Sequence, residues 1–339
     1  MTTAVLYAPH DLRIEKRPVP SPSHGEVLVR ILSVGVCGSD VHYYEQGRIG
    51  DFVVRSPLVL GHESSGQVVE VGQGVSQARV GERVAIEPGE ACGRCEQCRT
   101  GRYNLCPYIK FHGTPPVDGT LSEFVTVNSD LAYRVPDEIS DNAAALLEPL
   151  SVGIWANRKA GTQIGTSLLI AGAGPVGLVT TKVALAMGAT RIAVTDVNRH
   201  RLSAALASGA TEIAVPGSDD IAGDFDAFID CSGSAAAING GVRSVRPAGA
   251  VVLVGMGADE LRLPLEVIQQ RELVLTGTFR YANTWPTAIA LVASGRVTLD
   301  DLVTGEFGLA DAEQAITAGR DPSSVKAVVR PAHTDRQAP

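Results

Sequence analysis

From about residue 165 onward, apolar runs of strand length alternate with longer stretches rich in alanine. Runs with so few polar residues are typical of strands buried on both faces of a parallel sheet. The stretches 175–188 and 198–208 have the length and composition of helices, and the alternation predicts a doubly wound α/β sheet. The predicted strands are SLLIAG (167–172), RIAVTD (191–196), EIAVP (212–216), AFIDC (227–231), AVVLVG (250–255) and LVLTGTF (273–279).

The first 150 residues or so have a different pattern. Short runs that alternate apolar and polar residues, such as EVLVRILSVG and SGQVVEVG, are interrupted by Gly and Pro. This pattern predicts a β-rich domain. A chain of 339 residues is long enough for two domains. The final six residues, TDRQAP, have nothing to bury, and we expect them to be frayed.

Composition narrows the class of protein. Hydrophobic content of 45%, charged content of 19% and 36 glycines indicate an ordered globular chain. A net charge of −8 argues against general affinity for nucleic acid or anionic membranes. The N-terminal stretch MTTAVLYAPHDLRIEK has no basic segment followed by an apolar one, and the longest apolar region, GLVTTKVALAMGA, is too short to span a bilayer. We therefore expect a cytoplasmic protein with reduced thiols.

Four of the six cysteines lie within fifteen residues, in the segment CGRCEQCRTGRYNLC. The spacing C-x2-C-x2-C-x7-C is typical of a closed tetrahedral zinc site, which stabilises a loop but has no open position for chemistry. A pair of disulfides or an iron–sulfur cluster is the alternative, although neither the expected compartment nor the length of the last gap favours it. The predicted ligands of this structural zinc are Cys92, Cys95, Cys98 and Cys106.

A second motif predicts a dinucleotide site. The segment LLIAGAGPVGLVT has the G-x-G-x-x-G pattern directly after a predicted strand and at the start of a predicted helix, where backbone N–H groups can bind a pyrophosphate. Asp196 ends the next strand, where its carboxylate can accept hydrogen bonds from a ribose and would repel a 2′-phosphate. NAD is therefore favoured over NADP, although Arg199 and Arg201 could hold a phosphate. The three glycines are Gly172, Gly174 and Gly177.

A reactive metal would need a different site. The remaining residues that offer thiolate, imidazole and carboxylate ligands near turns are Cys37, His62, Glu63 and Glu148. Ligands from separate elements are typical of catalytic zinc, which keeps one position open. From composition alone, a buried cysteine and a loop histidine that only pack are the simpler interpretation.

The segments GVCGSDVHYYEQGRIGDFVVRSPLVLGHESSG, LLEPLSVG, AGAGPVG and GTFRYANTWP resemble the zinc-containing medium-chain dehydrogenase/reductase superfamily, specifically its sorbitol (polyol) dehydrogenase branch, over about residues 4–330. The resemblance implies a GroES-like β-rich catalytic domain plus a Rossmann domain with a doubly wound parallel six-stranded sheet. The expected catalytic domain comprises 1–150 and 284–339, with a zinc lobe at 88–110. The expected NAD-binding domain comprises 151–283.

The resemblance also implies roles for individual residues. Cys37, His62 and Glu63 correspond to ligands of a catalytic zinc, and Glu148 to a carboxylate that binds either the zinc or its water. Ser39 and His42, just beyond Cys37, are candidates for a proton relay, and a helix-capping serine and a surface histidine are the alternative interpretation. Substrate-pocket positions are Tyr43, Phe111, Glu148, Arg280 and Tyr281. Cofactor positions, besides the three glycines, are Val176, Asp196, Arg201, Val254, Gly255, Met256, Thr278, Phe279 and Arg280.

The implied activity is the reversible oxidation of a secondary hydroxyl of a polyol to a ketose, with NAD as hydride acceptor and two zinc ions per chain. A dehydrogenase acting on threonine, a sugar or a simple alcohol, and a non-enzymatic redox sensor built on the four cysteines, are the alternatives. The expected partners are the polyol or ketose and three further copies of the chain, without nucleic acid or membrane. Mammalian sorbitol dehydrogenases lack the second zinc, whereas this chain keeps all four cysteines.

Overall fold

The computed structural model describes residues 1–219, 221, 223–257 and 260–331. The tail TDRQAP, which we expect to be frayed, lies outside the described residues. The chain divides into two compact units. The first unit comprises Met1–Glu148 together with Trp285–Pro339, and the second comprises Pro149–Thr284.

The strands, in chain order, are β1 (Thr2–Ala8), β2 (Asp11–Lys16), β3 (Glu26–Gly35), β4 (Arg48–Ile49), β5 (Phe52–Val53), β6 (Leu58–Val59), β7 (Glu63–Val71), β8 (Arg83–Ile86), β9 (Gly89–Glu90), β10 (Lys110–Phe111), β11 (Phe124–Asn128), β12 (Ala132–Arg134), β13 (Ser167–Ala171), β14 (Arg191–Thr195), β15 (Glu212–Ala214), β16 (Phe225–Asp230), β17 (Val245–Leu253), β18 (Val274–Gly277), β19 (Val303–Gly308) and β20 (Lys326–Arg330).

The α-helices are α1 (Gly38–Gln46), α2 (Glu96–Arg99), α3 (Asp141–Ala145), α4 (Leu147–Ala160), α5 (Pro175–Ala186), α6 (Arg199–Ala207), α7 (Ala235–Arg243), α8 (Leu265–Gln270), α9 (Trp285–Ala293) and α10 (Ala312–Thr317). Short 3-10 helices lie at Gln77–Arg79, Tyr103–Leu105, Ser129–Leu131, Asp300–Leu302, Leu309–Asp311 and Ala318–Arg320.

The first unit is built around a mainly antiparallel sheet in the order β12-β8-β7-β3-β20-β19, with β11 also paired to β3. Strand β20 belongs to the C-terminal part of this unit, which begins at Trp285 and which we call the return segment. It pairs with β3, so the return segment completes this sheet. The long central strand β3 is buried at Val27, Val29 and Ile31 because these alternate residues face the core of the unit. The β-rich character predicted from the sequence is confirmed.

The return segment also contributes to the core of the first unit. Trp285 opens helix α9, is fully buried, and stacks on Tyr133 of β12 with ring centroids 5.3 Å apart. Burial of two large aromatic rings in parallel contact stabilises the junction between the two parts of this unit.

The second unit contains a parallel six-stranded sheet in the order β15-β14-β13-β16-β17-β18. This is the strand order of a Rossmann fold, with the reversal point between β13 and β16. All six strands predicted from the sequence are present, and each of their bounds differs from the predicted one by at most five residues. The predicted fold class, a GroES-like unit and a doubly wound Rossmann unit, is confirmed. Among the described residues, no helix combines the length and apolar character that a membrane span requires.

Candidate functional site

Three of the predicted ligands converge in the first unit. Cys37 caps the N-terminus of α1, His62 immediately precedes β7, and Glu63 is the first residue of β7. One ligand atom of each lies within 4.8 Å of the others. A thiolate, an imidazole and a carboxylate in this arrangement suit zinc, and three protein ligands leave one coordination position for a further molecule. The residues therefore fit a catalytic metal.

A buried carboxylate that the sequence interpretation missed holds the two ligand-bearing segments together. Asp40, only 1% exposed, accepts hydrogen bonds from the backbone N–H of Cys37 at 2.9 Å and from that of Gly61 at 3.0 Å. Its Oδ1 also lies 3.9 Å from Nδ1 of His62. One side chain therefore fixes the start of α1 and the turn before His62. The spacing C-x-x-D, with an acid in the first turn of a helix, was the available signal.

The charges around His62 favour a cation at this site. Burial lowers the pKa of His62, but the negative charges of Cys37, Asp40 and Glu148 outweigh burial and raise that pKa to about 10. Glu148 is buried in α4 and lies outside the three-residue set, and its negative charge is one of those that raise the pKa of His62. A metal ion has to displace the proton from His62, so metal binding and proton release are linked.

A second missed residue contacts Glu63. Lys326, at the start of β20, places its Nζ 2.7 Å from Oε1 of Glu63, and both side chains are buried. A lysine at the head of the apolar run KAVV was the only sequence signal, and nothing local related it to Glu63.

The remaining positions predicted in the first unit lie in α1 and β10. Ser39 and His42 lie half-buried in α1, and Tyr43 is buried in the same helix. Phe111 of β10 packs its ring against that of His62, with centroids 5.6 Å apart. The structure thus brings Phe111 to the candidate metal centre although it lies 49 positions after His62 in the chain.

Arg280 and Tyr281 belong to the second unit, just after β18. Arg280 has a φ of 56°, a left-handed backbone conformation that is uncommon for a residue other than Gly, and its guanidinium lies 4.8 Å from the centre of the Phe279 ring. Tyr281 is buried. A conformation of this kind is frequent at functional sites.

The glycine-rich segment of the second unit forms the turn that the motif predicts. It joins β13 to α5, a twelve-residue helix with Pro175 in its first turn. A side chain at Gly177 would clash with the carbonyl oxygen of Gly172, so glycine is required for the close approach of helix and strand. A Cβ at Gly174 would meet no atom within 4 Å, which leaves the backbone accessible to a phosphate. Val176 follows at the N-terminus of α5 and is half-buried.

Asp196 lies directly after β14, beside this turn. Its carboxylate accepts hydrogen bonds from the backbone N–H of Ala173 at 2.7 Å and of Asn198 at 2.8 Å. Arg201 in α6 is half-buried, and its Nε is a buried atom without a hydrogen-bond partner among the described residues. The carboxylate thus ties the glycine-rich turn to the next strand and remains the acceptor that a ribose requires.

The other predicted cofactor positions follow the ends of β17 and β18. Val254 and Gly255 are half-buried, whereas Met256 is exposed. The backbone N–H of Thr278 donates to the carbonyl of Leu253 at 2.9 Å, and Phe279 is exposed. These segments lie at the carboxyl edge of the parallel sheet, where ligands bind in open α/β folds.

The four cysteines of the lobe form a cluster in the first unit. Their Sγ atoms all lie within 4.8 Å of one another, with Cys95 to Cys98 at 3.5 Å and Cys92 to Cys98 at 4.0 Å. Four thiolates around one zinc at about 2.3 Å would be about 3.8 Å apart, so the cluster fits this metal. All six cysteines are free, so the disulfide alternative is wrong. Backbone N–H groups of Arg94 and Cys95 lower the pKa of Cys92 to about 6, which favours the thiolate.

A buried carboxyl group connects this lobe to the main sheet. Glu87, which follows β8, accepts a hydrogen bond from the hydroxyl of Tyr103 in the lobe at 2.8 Å and also bonds Tyr133. Burial raises the pKa of Glu87 to about 7, against the opposing effect of the two phenols. Part of the anchoring of the lobe therefore depends on a group that titrates near neutral pH.

Family models match both units. The model of the alcohol dehydrogenase GroES-like domain matches residues 23–137. The model of the zinc-binding dehydrogenase matches residues 175–294.

Individual relatives match almost the whole chain. Sorbitol dehydrogenase of Homo sapiens is 46% identical, with 92% of this chain and 90% of the relative covered. Sorbitol dehydrogenase of Bacillus subtilis (strain 168) is 43% identical, with 93% and 92% covered. Among solved structures, L-idonate 5-dehydrogenase of Escherichia coli str. K-12 substr. MG1655 superposes with a TM-score of 0.92 at 30% identity, covering 97% of each chain.

We expect Asp40→Asn to loosen the candidate metal centre. The amide keeps one acceptor oxygen, so one of the N–H groups of Cys37 and Gly61 loses its partner, and unfolding should become easier by about 1–3 kcal/mol. Urea unfolding and zinc content per chain measure the two effects. Asp11→Asn, at an exposed carboxylate paired with Arg13, is the control and should change neither. Unchanged zinc content and stability in Asp40→Asn would contradict this prediction.

Glu87 should make stability depend on pH. Because the folded protein holds the proton of Glu87 up to about pH 7, whereas the unfolded chain releases it near pH 4.5, the protonated carboxyl stabilises the fold at low pH and this contribution is lost as pH rises. When the pH rises from 5.5 to 8, the free energy of unfolding of Glu87→Gln should increase by about 2 kcal/mol relative to that of the unsubstituted protein. Chemical unfolding at both pH values, with exposed Glu90→Gln as control, tests this; a pH-independent difference would refute it.

Proposed function

The chain belongs to the zinc-containing medium-chain dehydrogenase/reductase superfamily, in its sorbitol dehydrogenase branch, and on this premise we propose that it oxidises a secondary hydroxyl of a polyol to a ketone with NAD. The observation that carries the proposal is the convergence of Cys37, His62 and Glu63 within 4.8 Å in a chain that also has the glycine-rich nucleotide turn.

We assign Cys37, His62 and Glu63 to the catalytic zinc and the four lobe cysteines to a structural zinc. The geometry favours Glu63 over Glu148 as the carboxylate ligand because Glu63 shares the three-atom set whereas Glu148 lies outside it. The lobe offers four thiolates and no open position, so its zinc would stabilise the fold without taking part in the reaction.

The reaction separates a hydride from a proton. A zinc ion held by Cys37, His62 and Glu63 would supply the Lewis acidity that makes an alcohol proton removable near neutral pH, and bound NAD would be the hydride acceptor. Asp40 keeps His62 and the Cys37 turn in place. Glu148, whose charge reaches His62, receives the hydroxyl proton in this proposal. Ser39 and His42, both half-buried in α1, then pass it to solvent.

The relatives support a substrate with several hydroxyls. Sorbitol dehydrogenases of Homo sapiens and Bacillus subtilis (strain 168) are 46% and 43% identical to this chain over more than 90% of its length. We therefore propose sorbitol, xylitol or galactitol type substrates, in preference to a simple alcohol or threonine.

Asp196 makes NAD the proposed cofactor. Its carboxylate sits beside the glycine-rich turn through its bond to Ala173, where its charge would repel a 2′-phosphate. The free cysteines agree with a reducing compartment, and we propose that the protein acts in the cytoplasm.

A substrate panel tests this function. NAD reduction, followed at the nicotinamide absorbance, should occur with sorbitol, xylitol or galactitol, at a kcat/KM at least about tenfold above that for ethanol or threonine, because a site that hydrogen-bonds several hydroxyls discriminates against substrates that lack them. The same preparation should contain two zinc ions per chain. Turnover of ethanol or threonine alone would reject the polyol assignment, and loss of thiols to disulfides without any alcohol turnover would favour a redox sensor.

We also propose a homotetramer, in which β18 contributes to the subunit contacts. This strand lies at the edge of the six-stranded sheet, and its Val274 and Leu275 are exposed. An edge strand with exposed apolar side chains can pair with a second copy. Sedimentation should give the mass of four chains, and Leu275→Lys should shift it toward smaller species because a charge at the contact opposes pairing. A monomer in the unsubstituted protein would contradict the proposal.

A further inference from the structure

The ion pair between Lys326 and Glu63 lies inside the candidate metal centre. Lys326 is 3% exposed and Glu63 is 1% exposed. The ammonium lies 2.7 Å from Oε1 of Glu63 and also contacts Oε2 of the same carboxylate. It donates a further hydrogen bond to the carbonyl of Val36 at 2.7 Å. A buried ammonium that contacts a carboxylate and a carbonyl oxygen is well satisfied, and these contacts fix its position.

The sheet explains how these two side chains meet. Strand β3 lies between β7, which carries Glu63, and β20, which carries Lys326. Neighbouring strands are about 4.8 Å apart, so the outer two are roughly 10 Å apart, a gap that two long side chains can close. Gly35 of β3 is paired with Glu63 and with Val328. A Cβ at Gly35 would clash with the Glu63 carboxylate, so the missing side chain provides the space in which the carboxylate lies.

The ion pair involves a carboxylate, that of Glu63, which is also a candidate metal ligand. The salt bridge to Glu63 and the hydrogen bond to the carbonyl of Val36 both stabilise the ammonium form of Lys326. Two cations, the ammonium and a metal ion, would therefore share the carboxylate of Glu63. The fixed positive charge reduces the negative charge that Glu63 offers to the metal.

We propose that Lys326 is a positioning residue that holds the carboxylate of Glu63 over Gly35 and keeps the metal centre one unit more positive than its ligands alone would make it. This inference rests on the proposed function. A more positive centre binds its zinc less tightly and promotes loss of a proton from an alcohol more strongly. Lys326 thus limits metal affinity and favours the reaction.

The first experiment measures zinc release without substrate. Zinc-loaded Lys326→Met, Lys326→Arg and unsubstituted protein are mixed with a chromophoric chelator, and the four-cysteine site serves as an internal reference. Removal of the charge should slow release from the Cys37 site about tenfold, the scale expected for one nearby charge in a partly screened interior. Release from the reference site should not change, and Lys326→Arg, which keeps the charge, should behave as the unsubstituted protein does.

The second experiment measures the pH profile of polyol oxidation. In Lys326→Met the acid limb of kcat/KM should move about one pH unit higher, because a less positive centre promotes proton loss only at higher pH. In Lys326→Arg the limb should stay in place. A merely structural ion pair would lower stability without moving this limb.

The outcomes separate the two proposals. Faster or unchanged zinc release in Lys326→Met, or equal behaviour of the Met and Arg variants, would overturn the role of Lys326. If the Met variant does not fold, Lys326→Gln takes its place, because it removes the charge while its amide can still donate to the carbonyl of Val36. Zinc release and the pH profile of Lys326→Gln then test the role of Lys326 in the same way. If the unsubstituted protein oxidises no polyol but zinc release changes as expected, the proposed function fails and the role of Lys326 at the metal stands.

Discussion

The metal centre depends on one buried carboxylate, that of Asp40. By bonding the backbone N–H groups of Cys37 and Gly61, it joins two segments that are separated by more than twenty residues and that each carry ligands. Without it, the start of α1 and the turn before β7 would have unsatisfied buried N–H groups. The positions of Cys37 and His62 are therefore set by a residue that is not itself in the ligand set.

A second constraint acts across the sheet. The order β7-β3-β20 places a carboxylate, a glycine and an ammonium on three adjacent strands. The first unit is assembled from two parts of the chain, and the C-terminal part supplies Lys326. This assembly therefore adds a positive charge to the site. The same return segment buries Trp285 against Tyr133, which gives the connection a stable core.

The two cysteine sites differ in what they can do. The lobe encloses its centre with four thiolates and is tied to the sheet through Tyr103 and Glu87, which suits a stabilising role. The Cys37 site has mixed ligands, neighbouring charges and three protein donors, which leaves room for a substrate oxygen. The same element, zinc, therefore fits a structural role in one place and a chemical role in the other because the donor sets differ.

The sequence by itself determined the features that depend on local spacing. The six strands of the second unit, the glycine-rich turn with Asp196 after the following strand, and the four lobe cysteines all follow from periodicity or from residues a few positions apart. The set Cys37, His62 and Glu63 was indicated only through resemblance, since nothing local relates residues so far apart.

The tertiary structure alone decided which distant groups meet. The contact of Lys326 with Glu63 joins residues 263 positions apart, and that of Phe111 with His62 depends on where β10 lies. It also separated Glu63, inside the ligand set, from Glu148, outside it. Side-chain identity fixes what a residue can donate or accept, but the electrostatic field at a site is a sum over groups that only strand pairing brings within a few ångströms of one another.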